Sequence, residues 1–124
     1  MSPAPALHTL SAVLVVGDVA RAIGFYVEKL GCIECFRVGD PPHFAAVERE
    51  ALVLNLMPAS RAPAALGQAQ LHVMVSGLDA LHAEIAGRGV AIEVTPTDFD
   101  YGLREFSLRD PDGNRITFAE ELRV

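Results

Sequence analysis

The chain of 124 residues contains no tryptophan and two tyrosines, and its aromatic content is only 6%. A large planar ligand would therefore find little stacking surface. Cysteine is scarce as well, with only Cys32 and Cys35. A structural zinc site would need a second pair of ligands of this kind. The redox version of a CxxC sits at a helix N-terminus, whereas this pair follows a helical segment and a glycine. Neither a zinc nor a redox role is assigned to it. Basic residues number 10 against 16 acidic ones, a net charge of −6. That balance argues against contact with a phosphate backbone, so no nucleic-acid partner is expected. It suits a cationic or neutral ligand, or simply a soluble surface. No apolar run approaches the roughly 20 residues of a membrane span. The short run at 12–16 lacks a basic segment before it, as a secretory signal would have. The reading is a cytoplasmic chain without a membrane partner, folded as a single domain over residues 1–124.

What the chain does have is repetition. Residues 11–34 (SAVLVVGDVARAIGFYVEKLGCIE) and 70–93 (QLHVMVSGLDALHAEIAGRGVAIE) each read as apolar strand, turn, amphipathic helix, glycine and second strand. The two copies match residue for residue: Ser11 with Gln70, Val16 with Val75, Asp18 with Gly77. Equivalent positions of a duplicated module meet across a pseudo-twofold axis, where a site would form.

In the first copy, residues 8–16 read as a strand and Asp18 as the N-cap of a helix. Val19, Ile23, Tyr26 and Leu30 give that helix one apolar face, and Gly31 ends it. Residues 32–38 form the next strand, and Asp40-Pro41-Pro42 makes a turn. A hairpin joins 44–48 and 52–57 around Arg49-Glu50-Ala51. The Ala/Pro-rich stretch after residue 58 is a linker. The second copy has strands at 70–75, 90–95, 103–108 and 116–120, with a loop at 96–102. Its helix is expected to open on a capping box, Ser76 to Asp79, with Leu78, Leu81 and Ile85 facing inward. The last hairpin turns at Asp110-Pro111-Asp112-Gly113-Asn114, which is longer than its counterpart and widens the repeat spacing. The fold class is α+β: a first βαβββ module at 8–58, a linker at 59–69, and a second module at 70–122.

Asp18, Phe25-Tyr26 and Leu30-Gly31 in the first half, with Tyr101-Gly-Leu-Arg-Glu-Phe and Asp110-Pro-Asp-Gly-Asn-Arg in the second, carry a family resemblance. In order and spacing they resemble the vicinal oxygen chelate superfamily of glyoxalases, extradiol dioxygenases and bleomycin-resistance proteins. The likeness spans about residues 8–122 and leans toward the bleomycin-resistance branch. It implies two modules curling into a cup-shaped mixed β-sheet, and a homodimer. It also implies one divalent metal at the base of the cup, held by the first and last strands of each module.

Transferred by position, those four places are Ser11, Asn55, Gln70 and Thr117. Two hydroxyls and two amides offer neither imidazole nor carboxylate, so no metal cofactor is expected. His72 shares a strand face with Gln70 and has two readings, a satisfied half-buried histidine or a hydrogen-bonding group in the cup. Glu120, three past Thr117, falls on the opposite face and is read as exposed or at a module edge; His8, His43 and His82 are read as surface. A ligand site without metal needs apolar walls and a few polar points. Phe44, Phe99, Tyr101 and Phe106 are candidate walls, Phe106 being the one better suited to the core; Asn55, Gln70, His72 and Arg104 are the polar points. The resulting expectation is a metal-free protein that sequesters an unidentified small molecule. The alternative is a metal-dependent lyase or dioxygenase with unconventional ligands; the third is a subunit or sensor whose cup is vestigial.

Overall fold

The computed structural model describes residues 3–123. The first module runs β1 (Ala12–Val16), α1 (Val19–Glu28), β2 (Ile33–Val38), β3 (Phe44–Arg49) and β4 (Leu52–Pro58). The second runs β5 (Gln70–Met74), α2 (Leu78–Gly87), β6 (Ile92–Asp98), β7 (Leu103–Arg109) and β8 (Arg115–Glu121). Each builds a four-stranded mixed sheet in which the last strand pairs in parallel with the first: β1-β4-β3-β2 and β5-β8-β7-β6.

Three boundaries differ from expectation. The first strand starts at Ala12, and residues 3–11 lie outside regular structure with Leu7 and Leu10 fully exposed. The loop expected at 96–102 is partly strand, since β6 continues through Pro96 to Asp98. Proline is tolerated there because β6 is an edge strand whose register shifts between Val94 and Thr97, so no ladder bond is lost. The third is the cap of α2. The N-cap is Gly77 in a left-handed conformation, without a side-chain cap of its own. The free N–H groups of Gly77 and Leu78 are instead taken by Glu120, at 2.8 and 3.2 Å. Glu120 therefore does lie on the face away from Thr117, but it serves as a long-range cap rather than a free surface charge.

α1 follows its pattern closely. Asp18 accepts the Arg21 N–H at 3.0 Å, and Val19, Ile23, Tyr26 and Leu30 are buried. On α2, Leu78 and Ile85 are buried and Leu81 packs beside them. His82 is half-buried, its ring edge-on to Phe106 at 5.3 Å, and Phe106 stacks on Phe118 in the core. His82 is thus a core-lining residue, because the second helix buries more of its circumference than its polar spacing suggests.

Both modules turn their helix-covered faces toward one shared core, in which Leu14, Leu54 and Leu56 join Leu78, Phe106 and Phe118. The β7–β8 turn crosses the seam and docks on the first module. Asp110 accepts the Tyr26 hydroxyl at 2.8 Å and the Asn114 amide at 2.9 Å on one oxygen, and the N–H groups of Asp112 and Asn114 on the other. Asn114 in turn donates to the Val15 carbonyl at 3.2 Å and accepts the Ala69 N–H at 3.0 Å. Asp112 takes the Gly17 N–H and the Arg21 guanidinium. The linker passes so close over this turn that a Cβ at Gly67 would run into the Asp112 carbonyl. On the other side of the seam, Arg49 pairs both its terminal nitrogens with Glu84, and Lys29 donates to the carbonyl of Arg88, its repeat equivalent 59 residues on.

Burial, followed by the neighbouring Asp110 carboxylate, pushes the Tyr26 phenol far above its ordinary pKa of 10.0. A phenol held protonated in the folded state contributes stability that is whole below the unfolded value and fades above it. The wild type should therefore lose stability steeply above about pH 10. Tyr26→Phe should cost about 1.5–3 kcal/mol at pH 7 and flatten that alkaline loss. Urea denaturation at pH 7, 9 and 10.5 measures both; an unchanged alkaline slope in the variant would refute the assignment.

Candidate ligand-binding faces

The reverse face of each sheet carries no helix. Strand alternation assigns it: in β1 and β4 the residues alternating with the buried Leu14, Leu54 and Leu56 are Val13, Val53, Asn55 and Met57. Across the sheet Asn55 pairs with Val13 on one side and Ala46 on the other, and Phe36 follows Ala46. This face is largely apolar. Val13, Ile33, Phe36 and Val38 remain 44–62% exposed, and Phe44 sits half-buried with its ring 5.7 Å from Phe36. Its polar groups are Asn55, whose amide donates to the Ser11 hydroxyl at 2.8 Å, and Glu48, which pairs with Val53 on one side and Ile33 on the other.

The open face of the second sheet is polar. Gln70, His72 and Met74 alternate along β5, Thr117 lies beside His72, and Ser107 lies beside Thr117. At its centre is Glu105, with a side chain only 12% exposed. One carboxylate oxygen lies 3.1 Å from His72 Nε2, and the other accepts the Tyr101 hydroxyl at 2.8 Å. Desolvation and then the hydrogen bond to Glu105 raise the Tyr101 phenol above its usual pKa. Tyr101 stacks on Phe99 with ring centroids 5.3 Å apart, which leaves an aromatic flap at the margin of the face. Toward the far end, Glu93 bonds Arg109 at 2.6 Å and lies 3.7 Å from Arg115.

The expected site residues therefore fall into two groups. Ser11, Asn55 and Phe44 share the open face of the first sheet, while Gln70, His72, Tyr101 and Thr117 share that of the second. Both faces point away from the common core, so one chain does not close the four positions Ser11, Asn55, Gln70 and Thr117 into a ring. The repeat equivalents that do meet are Lys29 and Arg88, on the helix side. Arg104 belongs to neither group. It alternates with Glu105 onto the helix side and bonds Asp79 and Asp98 at 3.0 and 2.8 Å. Glu105 was missed because its strand, Leu-Arg-Glu-Phe-Ser-Leu-Arg, alternates charge on both faces. Only the register to β8, which sets Glu105 beside Ala119 and one pair from Thr117, shows that it faces His72.

The donor chemistry does not fit the divalent metal that the resemblance implies. Among the described residues no three His, Cys, Asp or Glu side chains gather into a possible ligand cluster. Gln70 and Thr117 contribute no charge, and His72 is already directed at Glu105. The cysteines are unpaired; Cys32 is buried, which pushes its thiol up to about 11, and Cys35 is exposed. Among the described residues no helix is long and apolar enough to cross a membrane.

Two mixed four-stranded sheets from a duplicated βαβββ unit, with helices on one face and an open face opposite, define a paired-module fold. Residues 7–118 match the model of the Glyoxalase/Bleomycin resistance protein/Dioxygenase superfamily, and the chain belongs to that family. It is 28% identical over 127 residues to a bleomycin resistance protein of Geobacillus stearothermophilus, covering 89% of this chain and 94% of that one. Among solved structures it is similar to the bleomycin-binding protein of Streptomyces verticillus in complex with copper(II)-bleomycin: TM-score 0.74, 29% identity, 93% and 97% coverage. TioX of Micromonospora sp. ML1 shares the fold at a TM-score of 0.79 and 20% identity, with 93% and 100% coverage.

The Glu105 arrangement is testable by spectroscopy. In a Tyr26→Phe background Tyr101 is the sole tyrosine, so the absorbance change at high pH reports it alone. Adding Glu105→Gln should bring the Tyr101 midpoint down toward its ordinary value, since the acceptor charge that opposes phenolate is gone. An unmoved midpoint would show that the two groups do not interact in solution.

Proposed function

We infer that this protein is a homodimer that binds and sequesters a small molecule without a metal ion. The ligand lies between the apolar open face of one protomer and the polar open face of its partner. The observation that carries this reading is the separation of the two faces. One sheet offers apolar wall around Val13, Phe36 and Phe44, the other convergent polar groups around Glu105, and a single chain holds them apart. A site of the usual composition, apolar with a few placed polar groups, is complete only when two chains meet. Exposed valine, isoleucine and phenylalanine across a sheet face also favour a cover. The bleomycin-resistance relative and the bleomycin-binding structural neighbour support a drug or drug-like ligand. Glu105 at the centre of the polar face and the net charge of −6 favour a cationic one. With Gln70 and Thr117 at the ligand positions, binding rather than metal-dependent chemistry is the work this face suits.

Sedimentation analysis should find a dimer, and calorimetry with copper(II)-bleomycin should find saturable binding at one or two equivalents per dimer. Val13→Glu, which sets a charge on the apolar face, should weaken the dimer by about 2 kcal/mol or more, roughly a 30-fold rise in its dissociation constant. Drug binding should fall with it. A monomer at micromolar concentration would overturn the composite site. Stoichiometric nickel, zinc, manganese or iron in the purified protein, lost on replacing Gln70 or His72, would overturn the metal-free reading in favour of a lyase or dioxygenase.

A further inference from the structure

The two hairpin turns at the seam are unequal, and the inequality leaves a space. The Asp110–Asn114 turn is seated against Val15, Gly17, Arg21 and Tyr26 of the first module. The repeat equivalents of those four residues are Met74, Ser76, Ala80 and Ile85, and all four line a cleft of about 500 Å³ between the modules. Its opposite wall is the β3–β4 turn, Arg49 to Leu52. The cleft is thus the pseudo-symmetric counterpart of the filled dock. It stands open because the β3–β4 turn is too short to reach across.

Its chemistry is that of an amphipathic site. The part-exposed Leu52 and Leu81, backed by the buried Ile85 and Phe118, give it apolar walls, and Arg49 and Glu84 line it as well. Its charged lining is Arg49, Glu50 and Glu84. Just beyond the lining, Arg88 shares the Glu84 carboxylate with Arg49, at 3.3 and 2.8 Å, and Lys29 donates to the Arg88 carbonyl, which brings cationic groups up to the Arg49 end. Both guanidiniums converge on Gly31, where a Cβ would come within 3.0 Å of each; its φ of +75° is a second reason for glycine there. In the filled dock the seated turn likewise presents a carboxylate, Asp112, to a guanidinium at 2.9 Å. We propose that the open cleft is a second ligand site, separate from the sheet faces, which takes a small amphipathic monocarboxylate: its carboxylate on Arg49, its hydrocarbon against Leu52 and Leu81, over the buried Ile85 and Phe118.

Octanoate, octanol and octylammonium are suitable probes, titrated into the full chain to about 10 mM while the methyl resonances are followed by NMR. Octanoate should shift the Leu81 and Ile85 methyls saturably, and octylammonium should bind at least tenfold more weakly. Ala80→Trp, which fills the cleft from an exposed helix position, should abolish those shifts. Arg49→Gln should make octanoate no better than octanol. If Ala80→Trp does not fold, the probe series and Arg49→Gln still decide. The proposal is overturned if the probes bind alike, if none binds, or if octanoate shifts only open-face methyls such as Val13. It is equally overturned if the cleft methyls broaden with protein concentration alone, which would make a second chain the occupant. None of these readouts depends on drug binding or on dimerisation through the sheet faces.

Discussion

The buried carboxylate of Asp110 sets how the two halves of this protein meet. It accepts four hydrogen bonds, two from its own turn, one from the Asn114 amide and one from Tyr26 across the seam. A carboxylate away from water is costly unless its lone pairs are met, so the turn is stable in this shape only when the first module supplies the phenol. Asn114 adds the reverse requirement: its amide satisfies the Val15 carbonyl, and its oxygen takes the N–H that leads the chain into β5. The modules cannot turn relative to one another without leaving several of these groups unpaired. Hydrophobic burial alone would tolerate many orientations of two apolar helical faces; the polar cluster selects one.

That orientation decides where function can sit. With the helix-covered faces committed to the shared core, the remaining surfaces of both sheets look outward in different directions. Their characters have diverged. Val13 in the first sheet corresponds to His72 in the second, and Asn55 to Thr117. Duplication supplied two identical frames, and substitution made one an apolar wall and the other a polar floor. A ligand held between them needs both, which is the physical reason for reading the site as shared between protomers.

Much of the fold is legible in the sequence. The internal repeat gave the number and order of elements, and helical spacing identified Val19, Ile23, Tyr26, Leu78 and Ile85 as buried. Periodicity within an element also put Glu120 on the face opposite Thr117. What it could not supply was the partner of each face. Glu120 caps a helix whose N-terminus lies 43 residues earlier, and Arg104 turns to Asp79 and Asp98 on the helix side. His72 and Glu105 meet only because β5 and β7 both flank β8. For the same reason the relation between modules was out of reach. The repeat implies a twofold axis but not which faces it brings together, and the equivalents that meet are Lys29 and Arg88 instead of the strand positions.

The departure from exact repetition turns out to be as informative as the repetition. The second module's last turn is longer than the first's, and only the longer one reaches across to dock. An exact duplicate would have placed the same turn twice, closing both sides of the seam and burying an Asp110-like carboxylate in each. Here one side carries the polar lock, while the other is held by the shorter reach of Arg49 to Glu84, with a solvent-accessible gap beside it. A buried network on one flank, in which the Asp110 carboxylate meets four donors, supplies the specificity of docking, which leaves the second flank free of that duty. The asymmetry thus separates two tasks that perfect symmetry would have joined, fixing the modules on one side and leaving accessible surface on the other.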